Sequence, residues 1–425
     1  MLRSLRHPDY RLLLAGQLLG SSAQWMEQVA RGWLIYEMTG SALLLGAVMA
    51  TRAMPLLIFG LAGGVLADRY DRKRQVVLAQ NANLVLNLVL AALIFSGRLE
   101  VWQVFVTAFL AGSVMAIQQP ARQSMIPSVV PREDLLNAVA LNSGVVNMTR
   151  TVGPAIAGVV VAVVGVGWSY VIQGAMFLFA SQWTSRMHLS REPEPSGSRG
   201  TPWGSFTEGL RYIRSNNTVL ALLVLALVPI ILAQPYSALV PVFAQEVYQM
   251  GAIGQGILLA VPGVGSVVGA ALIARLGEGS PNRVFHLIGG ITAFGLALVG
   301  FAFSPSFPIA LAFLFIVGFA GTTYRAVNQT ALHLATEDAY RGRVMSMYLL
   351  DKGLAPLGSL GAGILATALG APDAVAIMGL LTALFAIALF LWVAPVRELA
   401  GLRFDQPVGA TSLPAAQASA EDDPL

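Results

Sequence analysis

The chain has 425 residues, of which 56% are hydrophobic and only 11% charged, with 26 Lys and Arg against 22 Asp and Glu. A water-soluble domain carries about 25% charged residues, so this composition, with a mean hydropathy of +0.69, excludes a soluble globular protein. The lack of cysteine excludes disulfides, thiolate metal sites and cysteine nucleophiles.

Apolar runs of about 20 residues recur along the chain, each long enough to cross a hydrocarbon core of about 30 Å as a helix. Backbone groups in lipid must bond within their own segment, so these runs read as helices and not as open strands. Twelve spans are predicted, near 11–36, 42–67, 75–96, 101–126, 136–164, 168–187, 218–245, 253–276, 284–303, 307–334, 343–369 and 373–396. The first run is too long for a signal-peptide core and lacks a small-residue cleavage site. The expected fold is all-α and integral to a membrane.

The first span carries a polar stripe. Gln17, Ser21, Gln24, Gln28 and Arg31 recur at spacings of four and three, and Glu27 stands one turn before Arg31. Arg52 interrupts the second span. The turn that follows, GGVLADRYDRKRQ (63–75), packs six charges into the seven positions from Asp68 to Arg74. Arg122 lies near the end of the fourth span, and Ser143, Asn147 and Arg150 share one face of the fifth. The one long connection, 188–217, is rich in Pro, Gly and Ser and ends in Trp203, Phe206, Leu210 and Ile213 at helical spacing. That pattern predicts an amphipathic helix on the membrane surface, with Ser205 and Glu208 as its capping box. In the second half, Thr322, Arg325 and Gln329 form a third stripe, and Asp351 and Lys352 sit in the eleventh span.

Residues 128–165 and 333–370 align at an offset of 205, matching Gly153, Gly158 and Gly165 to Gly358, Gly363 and Gly370. The expected organisation is an N-terminal half (1–187), a linker (188–217), a C-terminal half (218–397) and a disordered tail (398–425). Such duplication places a binding site between the repeats near the midplane. Nineteen of the 26 Lys and Arg fall in the N-terminus, the even-numbered connections and the C-terminal stretch, and only Arg98 in an odd-numbered one. By the positive-inside rule both termini are cytoplasmic. The sequence pI of 9.5 then reflects topology and anionic headgroups, with no nucleic-acid partner implied.

A charge at the bilayer centre costs about 2.5–3.5 kcal/mol on insertion scales. The eight ionisable residues within spans therefore point to a cavity, although a polar stripe can also serve as glue between helices. Glu27 and Asp351 are the carboxylates available for proton coupling. Gln24, Gln28, Arg31, Arg52, Asn147, Arg150 and Lys352 are candidates to line a cavity whose positive excess suits an anionic or zwitterionic amphiphile. Arg122 and Arg325, nearer the ends of their spans, fit a gate or an anchor. The expected partners are that small amphipathic substrate, protons and membrane lipids.

The charged turn resembles the loop 2–3 motif of the major facilitator superfamily through Gly64, Leu66, Ala67, Asp68, Arg69, Arg72, Lys73 and Arg74, with Asp71 at the usual glycine. QPARQSMIPSVVPREDLLNAVALNS and RGRVMSMYLLDKGLAPLG are similar to its enterobactin-exporter and macrolide-efflux branch. TVGPAIAG resembles the efflux motif of helix 5 through Gly153, Pro154 and Gly158, with Ala157 for one glycine. The arginine usual in helix 4 is replaced by Ala108. The resemblance implies twelve transmembrane helices in two pseudo-symmetric halves of six. It implies a monomeric proton antiporter of the inner membrane, exporting a drug or siderophore-like molecule by alternating access. It also implies a cytoplasmic gate in which Asp68 faces the start of helix 11 near Arg343, joined by Arg69, Arg72 and Arg74. A lysolipid flippase of the same fold and a non-transporting membrane sensor are the alternatives. No H-E-x-x-H and no phosphate-binding loop occurs, so neither an enzyme nor a cofactor is expected.

Overall fold

The computed structural model describes residues 3–188, 202–276 and 283–392. The linker's Pro/Gly/Ser-rich part and the tail expected to be disordered lie outside the described residues. Among the described residues the elements are helices throughout, arranged as twelve rods and one linker helix. The first six rods are α1 (Pro8–Thr39), α2 (Ala42–Arg69), α3 (Arg72–Phe95), α4 (Val101–Val129), α5 (135–164) and α6 (166–185). The linker helix is Pro202–Ser215. After it come α7 (Asn217–Val247), α8 (Gly251–Leu276), α9 (Arg283–Ala302), α10 (Phe307–Ala335), α11 (338–369) and α12 (Ala371–Trp392). By length and hydropathy alone eight segments qualify as spans, one of them, Arg132–Ser185, holding both α5 and α6.

Lipid and protein interior are both apolar, so these helices sort by small and polar residues and not by a hydrophobic stripe. Within the first half α1 packs on α5, α2 on α4 and α3 on α6; within the second α7 packs on α11, α8 on α10 and α9 on α12. The two sets are the same arrangement repeated. Gly165 turns the chain from α5 into α6 at φ 84°, ψ 165°, and Gly370 turns it from α11 into α12 at φ 90°, ψ 155°. Both lie in a region essentially reserved for glycine, and they are 205 residues apart, the offset read from the sequence.

α11 starts at Asp338, earlier than predicted, and tightens into a 3-10 turn at Asp351–Leu354. α7 carries two π-helical stretches, Pro229–Ala233 and Phe243–Val247. Where it ends, the Tyr248 hydroxyl meets the Ser304 Oγ at 2.5 Å, and burial pushes that phenol above its ordinary value.

Two expectations for the linker helix need correction. It begins at Pro202, so Ser205 lies inside it and cannot cap it. It also docks on protein and does not merely lie on the surface. Glu208 pairs with Arg343 of α11 at 2.9 Å, and Tyr212 stacks on Tyr340 with ring centroids 4.3 Å apart. Tyr212 was overlooked in the apolar pattern because its ring serves another helix.

Candidate functional site

The halves touch along two helix crossings, α5 with α8 and α2 with α11. At the first, a Cβ on Gly158 would stand 2.9 Å from the Gly256 Cα. At the second, Gly46 faces Gly363 at similarly close range. Both crossings lie on the face away from the charged turn. There the Tyr36 hydroxyl donates to Glu246, and Gln255 Nε2 donates to the Val29 carbonyl at 3.1 Å. On the face bearing the charged turn, no hydrogen bond or ion pair joins the halves among the described residues. Among the described residues, the polar contacts between the halves therefore lie on the face away from the charged turn.

Between the halves lies a cavity of about 1500 Å³, its open mouth included. Arg150 of α5 and Arg325 of α10 line it from opposite halves, with Gln28, Gln234 and Tyr236 as polar neighbours and Trp25 and Phe294 among its apolar walls. Arg325 lies ten residues before the end of α10, about 15 Å of helix rise from that end, and it lines the cavity.

A second polar centre sits inside the first half. Glu27 is bracketed by two guanidiniums: Arg31 Nε bonds its Oε1, and Arg52 Nε approaches its Oε2 at 2.7 Å, an ion pair off hydrogen-bond angle. Arg31 also donates to the Val104 carbonyl at 2.8 Å and to Thr107 Oγ1 at 3.0 Å, and is 1% exposed. Gln24, Asn83 and Asn87 complete this chamber. Arg52 belongs to two spaces. It lines the inner chamber and also a pocket shared with Gln28, Ser237 and Ser359 between the halves.

The remaining candidates separate. Arg122 is buried inside its own half, donating to Gln17 Oε1 at 2.9 Å and to the Gly16 carbonyl at 3.4 Å. The α1 stripe therefore divides: Gln17 and Ser21 bond each other as internal glue, whereas Gln24 and Gln28 face open space. Asn147 is exposed and donates to the Ser143 carbonyl at 2.9 Å. The side chains of Asp68, Arg69, Asp351 and Lys352, and Gly64, lie outside the described residues.

In the charged turn, Asp71 caps α3 by accepting from the backbone N–H groups of Lys73 and Arg74 at 2.9 and 3.2 Å, which explains an acid at this position. Arg72 donates to the Ser124 carbonyl at 3.2 Å and Lys73 to that of Met187 at 2.7 Å, while Arg74 stays exposed 3.7 Å from Asp71. Gly153 lets α5 close on Trp25 of α1, and Pro154 and Gly158 face Gly256.

Residues 1–412 match the family described as transmembrane secretion effector. Among curated relatives, the staphyloferrin A transporter of Staphylococcus aureus is 25% identical over 84% of this chain and 89% of its own. The enterobactin exporter EntS of Shigella boydii is 27% identical over 84% of this chain and 86% of its own. Among solved structures, a bacterial homologue of the human lysosomal transporter Spinster, inward-facing and unoccupied, aligns at TM-score 0.67 with 17% identity over 92% of this chain and 96% of its own. The nucleoside transporter NupG aligns at TM-score 0.69 with 14% identity over 90% and 99%. At such identities the structural likeness speaks to fold alone.

Proposed function

The chain belongs to the transmembrane secretion effector family of the major facilitator superfamily, and from that premise we propose that it exports an amphipathic small molecule by alternating access, driven by protons. The observation that carries this reading is the central cavity lined by both halves, with their close glycine crossings and described polar contacts gathered at one face. Relatives named for staphyloferrin A and enterobactin favour a siderophore-like cargo over a broad set of drugs. We take the opposite face, which bears the charged turn, as the parted one, and it is the cytoplasmic one by the positive-inside rule. The protein then sits in the inner membrane with both termini inside.

Glu27 is the carboxylate we assign to proton coupling. Its contacts with Arg31 and Arg52 give it two cations that can stand in for a proton. Arg52, the more exposed of the two guanidiniums, is the one positioned to swing away and let Glu27 take up a proton. Asp351 is the second candidate, and Asp68 with Arg69 the cytoplasmic gate.

The test is accumulation of a fluorescent amphiphile in energised cells making wild type, Glu27→Gln or Asp68→Asn at equal levels. Wild type is expected to lower accumulation, a protonophore to abolish the difference, and both variants to lose it. Wild-type cells indistinguishable from empty ones across anionic, zwitterionic and cationic probes would refute the export reading.

A further inference from the structure

The described guanidiniums near the centre of the molecule fall into two groups. Arg31 and Arg52 share Glu27, and Arg122 is held by Gln17 and a backbone carbonyl. Arg150 and Arg325 have no carboxylate partner among the described residues. Tyr324, whose ring centroid lies 5.6 Å from the Arg325 guanidinium carbon, steadies that side chain without answering its charge. Arg150 and Arg325 come from opposite halves of the molecule, and both face the same cavity.

Two positive charges that face one cavity from opposite sides concentrate anions between them. We infer that Arg150 and Arg325 form a two-sided clamp for an anionic group, so that the cargo class is anionic amphiphiles whose apolar part rests against Trp25, Leu259 and Phe294. This inference rests on the export reading and deepens it. Gln28, Gln234 and Tyr236 supply neutral hydrogen-bonding groups beside the anion. The clamp also has a mechanical consequence. Closing the parted face brings Arg150 and Arg325 together, so the empty pair resists closure and a bound anion releases that resistance. Binding and closure are then one event.

Two soluble probes with the same ring test this: 2-naphthalenesulfonate and 2-naphthol. Calorimetry on the purified full-length protein in lipid nanodiscs measures affinity. Because the chain has no cysteine of its own, spin labels at Tyr70→Cys and Glu337→Cys, one per half on the parted face, report closure. The sulfonate is expected to bind at least about tenfold more tightly than the naphthol, the scale of one charged hydrogen bond, and to shorten the label separation. Arg150→Gln and Arg325→Gln should each remove that preference and the shortening, while Arg150→Lys retains part of both. Equal affinity for the two probes, or shortening that persists in both Gln variants, overturns the clamp. A clamp that holds in nanodiscs while cells export nothing sinks the export reading alone. Export combined with charge-blind binding sinks the clamp alone.

Discussion

Gly165 and Gly370 hold the same unusual backbone angles at equivalent ends of the two halves. A Cβ at Gly165 meets no neighbouring atom, so a substitution there acts through conformation and not through crowding. Gly165→Ala and Gly370→Ala are each expected to cost about 1–3 kcal/mol, read as a lower midpoint of thermal unfolding in detergent. A change at one glycine and none at the other would break the equivalence. Glu27 presents the opposite case, a residue defined by its partners. Removing the shared carboxylate leaves the buried Arg31 and the partly exposed Arg52 facing each other, and breaking a buried pair costs on the order of 3–5 kcal/mol. Glu27→Gln should therefore be less stable than Glu27→Gln combined with Arg52→Gln, in which the surplus charge is also gone. A double variant less stable than the single one would mean that Arg52 has another anchor.

Helix crossings are where the halves meet, and the glycine contacts set how tightly. Gly256→Val places a branched side chain where the Gly158 backbone already lies in contact, so the sealed face cannot shut fully. Gln28→Cys, on the cavity wall, becomes the only thiol in the chain. A membrane-impermeant thiol reagent added from outside spheroplasts is expected to label it slowly in the single variant and much faster with Gly256→Val. Equal labelling would mean that the crossing does not seal. At this scale much was legible beforehand. Hydropathy marks most of the rods because lipid imposes length and apolarity, and the offset of 205 marks the repeat because turns such as Gly165 favour glycine alone. What escaped was rotation. A largely apolar helix announces only weakly which face meets lipid: the stripe of Thr322, Arg325 and Gln329 pointed to a cavity, but nothing near Arg122 in sequence said that it turns into its own half. Nor does spacing along one helix reveal that Glu27, read beside Arg31, also holds Arg52 from the next. Tyr212 was missed for a related reason, since its partner Tyr340 lies more than a hundred residues away.

For the whole molecule, the charges to be moved decide the driving force. A proton entering and an anion leaving both carry positive charge inward, and each elementary charge gains about 2.3 kcal/mol per 100 mV of membrane potential. A 1:1 exchange of the two is therefore strongly electrogenic, more so than the same exchange with a neutral cargo. Cells preloaded with 2-naphthalenesulfonate should lose export sharply when valinomycin and external potassium collapse the potential, and less when nigericin collapses the pH difference. Glu27→Gln removes the proton but leaves the anion, so whatever efflux remains should still respond to valinomycin and no longer to nigericin. Wild-type export that ignores valinomycin and stops with nigericin would show a cycle moving no net charge. That outcome is incompatible with an anion and a proton crossing in opposite directions through this cavity.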